Sequence, residues 1–256
     1  MTDPPDTYAD PRGAQSQRTA RISLLVAAAL FVVSFVFQTL ASVQRWVVFE
    51  ATLGDLDPSS ESDQFDYFLP DYEWEPIEHT AQLLGVGLLV QAAGFAALAV
   101  GMTLIPRGPK RNGHDRSPTM PGMEKVMAVL VFAGFAAHGL FNVVAGTNAR
   151  APQLGALDFV FGPLLFLSLI SLLALSALWA TRMPVARAIC LLLVGSTVLG
   201  YVLSSMLITP VFTGMSHDTA RWTEFTVATT TLAAAILAVE GARELPRSKI
   251  DGDQSA

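Results

Sequence analysis

Charge is what this chain has least of: Asp, Glu, Lys and Arg make up 15% of its residues, where soluble domains carry about 25%. The few charges are gathered into short blocks between long uncharged runs. That segregation excludes an ordinary soluble helical domain, which spreads charge over the outer face of every helix. It is the pattern a bilayer imposes, because a charge at mid-depth costs at least ~2.5–3.5 kcal/mol. Lysine is scarcer still, three residues against thirteen arginines, and with a net charge of −6 no basic face for nucleic acid is available. The single cysteine, Cys190, excludes an intrachain disulfide and is read as a small apolar packing residue. No carboxylate lies between the ends of any apolar run, and none holds a Ser-His or paired-Glu constellation. An intramembrane enzyme is therefore the weakest functional reading, and no cofactor is assigned.

Six apolar runs remain: residues 22–43, 80–105, 126–145, 159–180, 188–208 and 225–239. About 20 residues are needed to cross a ~30 Å hydrocarbon core. The first run is too long for a signal peptide, whose apolar stretch has only ~7–15 residues. The sixth, 15 residues between charges, is short and relies on Trp222 and Glu240 at the interfaces. Thirteen of the sixteen cations fall on one side if the N-terminus is inside, leaving Arg45, Arg150 and Arg221 on the other. The positive-inside rule then sets both termini in the cytoplasm. The expected fold is an all-α, six-helix polytopic bundle over residues 22–241. It is flanked by a disordered tail at 1–21 and a second tail at 242–256. The arginine preference and net acidity point to a prokaryotic plasma membrane.

Gly87, Gly94 and Gly101 recur every seven residues in the second run, close to two helical turns, and form one smooth stripe. Such a stripe suits close approach by another helix, in this bundle or in another membrane subunit. The only internal Gly-Pro pair in a run is Gly162-Pro163, so no span carries the breaks that mark many transporter sites.

Polar side chains crowd the outer half of the runs: Gln38, His79, Gln82, His138, Asn142, Tyr201 and Ser204, with Gln91 near the midplane. Polar groups in hydrocarbon must find partners, so these are expected to converge. They form either a ligand pocket or a set of interhelical hydrogen bonds. His138 and Asn142, four residues apart on one helical face, are expected to meet Gln38 and Tyr201. His79 lies at the surface and His138 well below it, a mismatch in depth that argues against haem.

The outer loop 44–79 holds ten acidic residues and one cation, Arg45. Trp46 reads as an interface anchor, and Asp57-Pro58 as a helix start. Asp55 to Asp66 follows the rhythm of a calcium loop, but Ser60 stands where a glycine is wanted. A solvated acidic loop fits better, its aromatic half, 65–76, capping the bundle or docking a partner.

Three readings follow. The first is a non-catalytic subunit or accessory protein in the lipid bilayer, bound to other subunits or to its own copies. The second is a small-molecule binder or transporter with an outer polar pocket. The third is a metal- or haem-dependent intramembrane enzyme.

Overall fold

The computed structural model describes residues 11–49, 66–70, 74–105, 121–153, 155–213 and 220–245. Every regular element among them is helical. In chain order these are α1 (Pro11–Val43), α2 (Thr80–Leu104), α3 (Pro121–Asn148), α4 (Asp158–Trp179), α5 (Pro184–Val194), α6 (Val198–Leu203), α7 (Thr209–Thr213) and α8 (Thr223–Glu244). Wider π-helical turns, Gln44–Phe49 and Ser204–Ile208, extend α1 and join α6 to α7. The Asp57-Pro58 helix start and most of the calcium-like stretch lie outside the described residues, as do residues 65 and 71–73 of the aromatic half.

Five helices are long and apolar enough to cross a membrane, six if the pair around residue 195 is one bent span. Their packing closes on itself. Helix α1 lies against α2 and α8, α2 against α3, α3 against α4, α4 against α5, and α5 against α8. The result is a ring with an interior. Its outer surface is apolar, with Phe159 86% and Phe212 82% exposed, as lipid-facing side chains would be.

Close approach depends on small residues. On α8, Ala228, Ala234, Ala235, Ala238 and Ala242 are buried, so α1 and α5 both reach its backbone. Gly87, Gly94 and Gly101 lie against α1, where added methyls would meet Gln38, Phe31 and Ala20 respectively. A tight contact of backbone against backbone lies outside that stripe. A methyl on Gly85 would sit 2.6 Å from the Gly139 carbonyl oxygen, and one on Gly139 2.7 Å from that of Gly85.

Three departures from the sequence expectation bear on the site. First, α1 starts at Pro11, not near residue 22. Residues 13–21 are helical, and Ser16 Oγ donates to the Leu104 carbonyl at 3.0 Å, tying this polar extension to the end of α2. Second, α8 runs 22 residues, about 33 Å at 1.5 Å each, and is not short. The sequence boundary at Glu224 was misleading because that carboxylate is buried.

Third, the helix of the fifth apolar run is broken, while α4 runs unbroken through Gly162-Pro163. Helix α5 ends at Val194 and the chain turns by 71° before α6. Gly195, Ser196 and Thr197 donate to the Leu192, Leu193 and Val194 carbonyls at 2.9–3.1 Å. These tight turns satisfy the helix end without water, as a hydrocarbon setting requires. Thr197 adopts extended backbone and its Oγ1 accepts from Gly200 N at 3.4 Å, capping α6. A methyl on Gly200 would lie 2.3 Å from the Val194 oxygen.

That contact is backbone against backbone and cannot relax by a side-chain rotation. Gly200→Ala is predicted to destabilise the protein by about 1–3 kcal/mol, read as a lowered melting temperature. Gly162→Ala, whose methyl would meet nothing within 4 Å, should be neutral or slightly stabilising. Equal melting of the two variants would refute the strain assigned to the break.

Candidate functional site

The end of the ring where α1 finishes holds a buried ion pair. The π turn brings Arg45 inside while Val47 and Val48 stay half exposed. Arg45 Nη1 donates to Glu224 Oε1, and both residues are only 3% exposed. The second Glu224 oxygen accepts from Trp46 Nε1 at 2.7 Å, so Trp46 is a carboxylate ligand as much as an interface anchor. Asp66 Oδ1 lies 4.0 Å from the same guanidinium.

Asp66 begins a segment that enters the ring. Its Oδ1 accepts from Phe68 N at 2.9 Å, an Asx turn, and its Oδ2 accepts from the Tyr201 hydroxyl at 2.7 Å. The Phe68 ring stacks on Tyr201, centroids 4.2 Å apart and nearly parallel, and meets His138 edge-on at 4.8 Å. Its carbonyl accepts from His138 Nε2 at 2.7 Å and from Asn142 Nδ2 at 3.3 Å. A carbonyl only accepts, so His138 carries its proton on Nε2. Tyr67 is fully buried beside Arg45. Burial, reinforced by the Glu224 charge, pushes its phenol well above the usual range, so it stays a neutral hydroxyl.

His138, Asn142 and Tyr201 are thus gathered as a group, but around a peptide carbonyl of the chain itself rather than an open pocket. Gln38 is not among them. It belongs to a second cluster, deeper in the ring. Gln38 Nε2 donates to Ser34 Oγ at 2.8 Å and to Gln91 Oε1 at 2.9 Å. Ser34 Oγ donates to the Gly87 carbonyl at 2.7 Å, and Thr231 Oγ1 to Gln91 Oε1 at 3.3 Å. Ser196, in the break of the fifth span, lies 2.9 Å from Thr231 Oγ1. One hydrogen-bonded string therefore joins α1, α2 and α8 to the broken helix.

The other expected residues fall elsewhere. His79 is exposed before α2 and makes no side-chain cap. Gln82 packs over Gly146. Ser204 meets Thr209 at 3.5 Å, and Thr209 meets Thr226 at the same distance.

Several buried polar atoms in this interior have no hydrogen-bond partner among the described residues. They include Gln38 Oε1, Gln91 Nε2, Ser42 Oγ, Tyr67 Oη and Asn142 Oδ1. Each such atom costs ~1–3 kcal/mol if left bare. Five together would rival the whole stability of a typical domain, ~5–15 kcal/mol. Apart from Arg45, Glu224 and Asp66, the interior offers neutral donors and acceptors. No group of three His, Cys, Asp or Glu residues among the described residues is placed to hold a metal ion.

Comparison of the chain with protein-family models, with curated proteins and with solved structures found no match. The site is therefore argued from its own geometry.

The sequence reading missed Arg45, Asp66, Glu224, Ser34, Ser196 and Thr231. Glu224 and Arg45 stand at the ends of apolar runs and read as boundary charges. A signal for part of the set was present. Ser34, Gln38, Ser42 and Arg45 recur at steps of four, four and three, one polar stripe along an apolar helix.

Removing one partner of a buried ion pair leaves the other charge uncompensated, typically at a cost of 3–5 kcal/mol. Arg45→Met and Glu224→Leu are each predicted to lose about that much stability. The double variant, an apolar pair of similar bulk, should recover most of the loss. A double-mutant cycle with additive losses would show that the pair is not coupled.

Proposed function

We propose that the chain is a six-span membrane protein with both termini in the cytoplasm, whose ring binds a small solute beside the broken fifth span. The observation that carries this reading is the meeting of two features. A span is interrupted at Gly195–Thr197, and the interruption abuts a buried string of Gln38, Gln91, Thr231 and Ser196 with unpartnered amide atoms. Interrupted helices near the midplane are how many membrane transporters expose polar groups to a substrate. A helix needed only for packing gains nothing from such a break.

A specific observation favours the other reading, an accessory subunit without a ligand. The outer polar residues His138, Asn142 and Tyr201 are engaged by Asp66 and Phe68, so that half of the ring needs no solute. In the present proposal this segment is the plug above the site, and the site lies in the deeper string.

A density map of the purified protein that resolves ordered solvent is expected to show non-protein density against Gln91 Nε2 and Gln38 Oε1. Protein side chains filling that space would decide for the accessory subunit. The orientation rests on the thirteen-to-three distribution of cations. A reporter fused after Ala256 that works only in the cytoplasm should be active. Activity of a reporter that requires export would reverse the topology.

A further inference from the structure

We infer that the solute taken up by this ring is an uncharged molecule bearing hydroxyl or amide groups, seated between the Gln38–Gln91 pair and the Arg45–Glu224 pair. The inference rests on the reading of an interior solute site given above and narrows it to a chemical class.

The argument begins with position. Ser42 is one helical turn beyond Gln38 on α1 and Arg45 nearly one turn beyond Ser42, so the three share a face. Ser42 is fully buried and its Oγ has no partner among the described residues. Below it, Gln38 Oε1 and Gln91 Nε2 are the unused edges of two amides held together by one hydrogen bond. Above it, the buried Tyr67 hydroxyl is also without a partner among the described residues, its ring 5.8 Å from the Arg45 guanidinium. From α1, α2 and the plug, then, come an acceptor, a donor and two hydroxyls that can act as either.

The charges nearby answer one another, Asp66 lying 4.0 Å from the Arg45 guanidinium with its other oxygen taken by the Tyr201 hydroxyl. Arg45 is bound to Glu224, and Trp46 holds the second carboxylate oxygen. The deeper string contains only Ser, Thr and Gln. An ion placed among these groups would be desolvated with no counter-charge, whereas a neutral solute exchanges hydrogen bonds to water for hydrogen bonds to the ring.

Acetamide, acetate and acetamidinium test this directly, being planar and nearly the same shape but neutral, anionic and cationic. The full chain carrying Cys190→Ala and Ser42→Cys, reconstituted in lipid, is treated with methyl methanethiosulfonate, and the rate of thiol modification is followed. Ser42 Oγ has no hydrogen-bond partner among the described residues, so Ser42→Cys should leave the fold intact. Acetamide is expected to slow the modification, while acetate and acetamidinium at matched concentration do not. Gln91→Met, which deletes the unused donor together with the Oε1 that accepts from Gln38 and Thr231, should raise the protecting concentration by at least roughly fivefold to tenfold, the factor for one buried hydrogen bond. Gln38→Met serves as the second variant should Gln91→Met melt early. Protection by either ion as strong as by acetamide overturns the uncharged class and leaves the interior site standing. A thiol that reacts without protection by any probe means water alone fills the space, which also overturns the class. A thiol that does not react at all, in protein that melts normally, overturns the interior site itself.

Discussion

A polar group placed in hydrocarbon must be answered by the protein, because no water is at hand to answer it. Most of the architecture here follows from that constraint. Arg45 and Glu224 are far apart in sequence and are each too costly to bury alone. Together they pin the end of α1 to the start of α8. The carbonyls freed where α5 stops are taken up by the next three amides. Even the peptide of Phe68, drawn into the ring by its side chain, has its carbonyl met by His138 and Asn142. At the opposite end, Glu124 and Arg182 make a second buried pair, joining the start of α3 to the turn after α4.

The interior is divided accordingly. Toward the Glu124–Arg182 end it is filled by apolar bulk. Phe95 and Trp179 stack across the ring at 6.2 Å, with Leu98, Met102, Leu175 and Ile189 fully buried. From Gln91 upward the side chains are polar. A ring of apolar helices with one apolar half and one hydrogen-bonding half differs from a uniformly packed bundle. The difference comes from which helices carry amides and hydroxyls, not from the backbone path. The alanines of α8 and the facing glycines Gly85 and Gly139 set how closely the ring closes. They leave the polar groups of α1, α2 and α8 within reach of one another.

How much of this was legible follows from what hydropathy measures. Long uncharged runs gave the helices, because hydrocarbon thickness fixes their length. The break at Gly195-Ser196-Thr197 was invisible for the same reason, since its residues are uncharged and leave the run unbroken. Its cause is local competition. Ser and Thr hydroxyls offer the backbone an alternative to the helix, and Thr197 takes it. Glu224 was misplaced because a charge normally ends a span, and only the partner 179 positions away makes it an interior residue. The polar residues of the outer half were named from depth alone. Depth cannot say that Gln38 faces Gln91 while His138 faces Phe68, because that depends on the rotation of each helix about its axis.

The two clusters are not independent, and Tyr201 is the reason. It lies in α6, immediately beyond the break, and it holds the plug twice, stacking on the Phe68 ring and donating to Asp66. Phe68 is held from the other side by His138 and Asn142 on α3. Phe68 cannot leave its place without parting from Tyr201 or taking α6 with it. The half-span beyond the break is the part of the ring best able to follow. Its turns Ser204–Ile208 are π-helical, and it buries Tyr201, Ser204 and Thr209 on one face while Met206, Leu207 and Val211 are exposed on the other. On the other side of the break, α5 is fixed between α4 and α8 with Ile189, Cys190 and Leu193 fully buried. The break therefore separates a half-helix packed between two neighbours from one with a single buried face, and the Asp66–Phe68 segment is attached to the second.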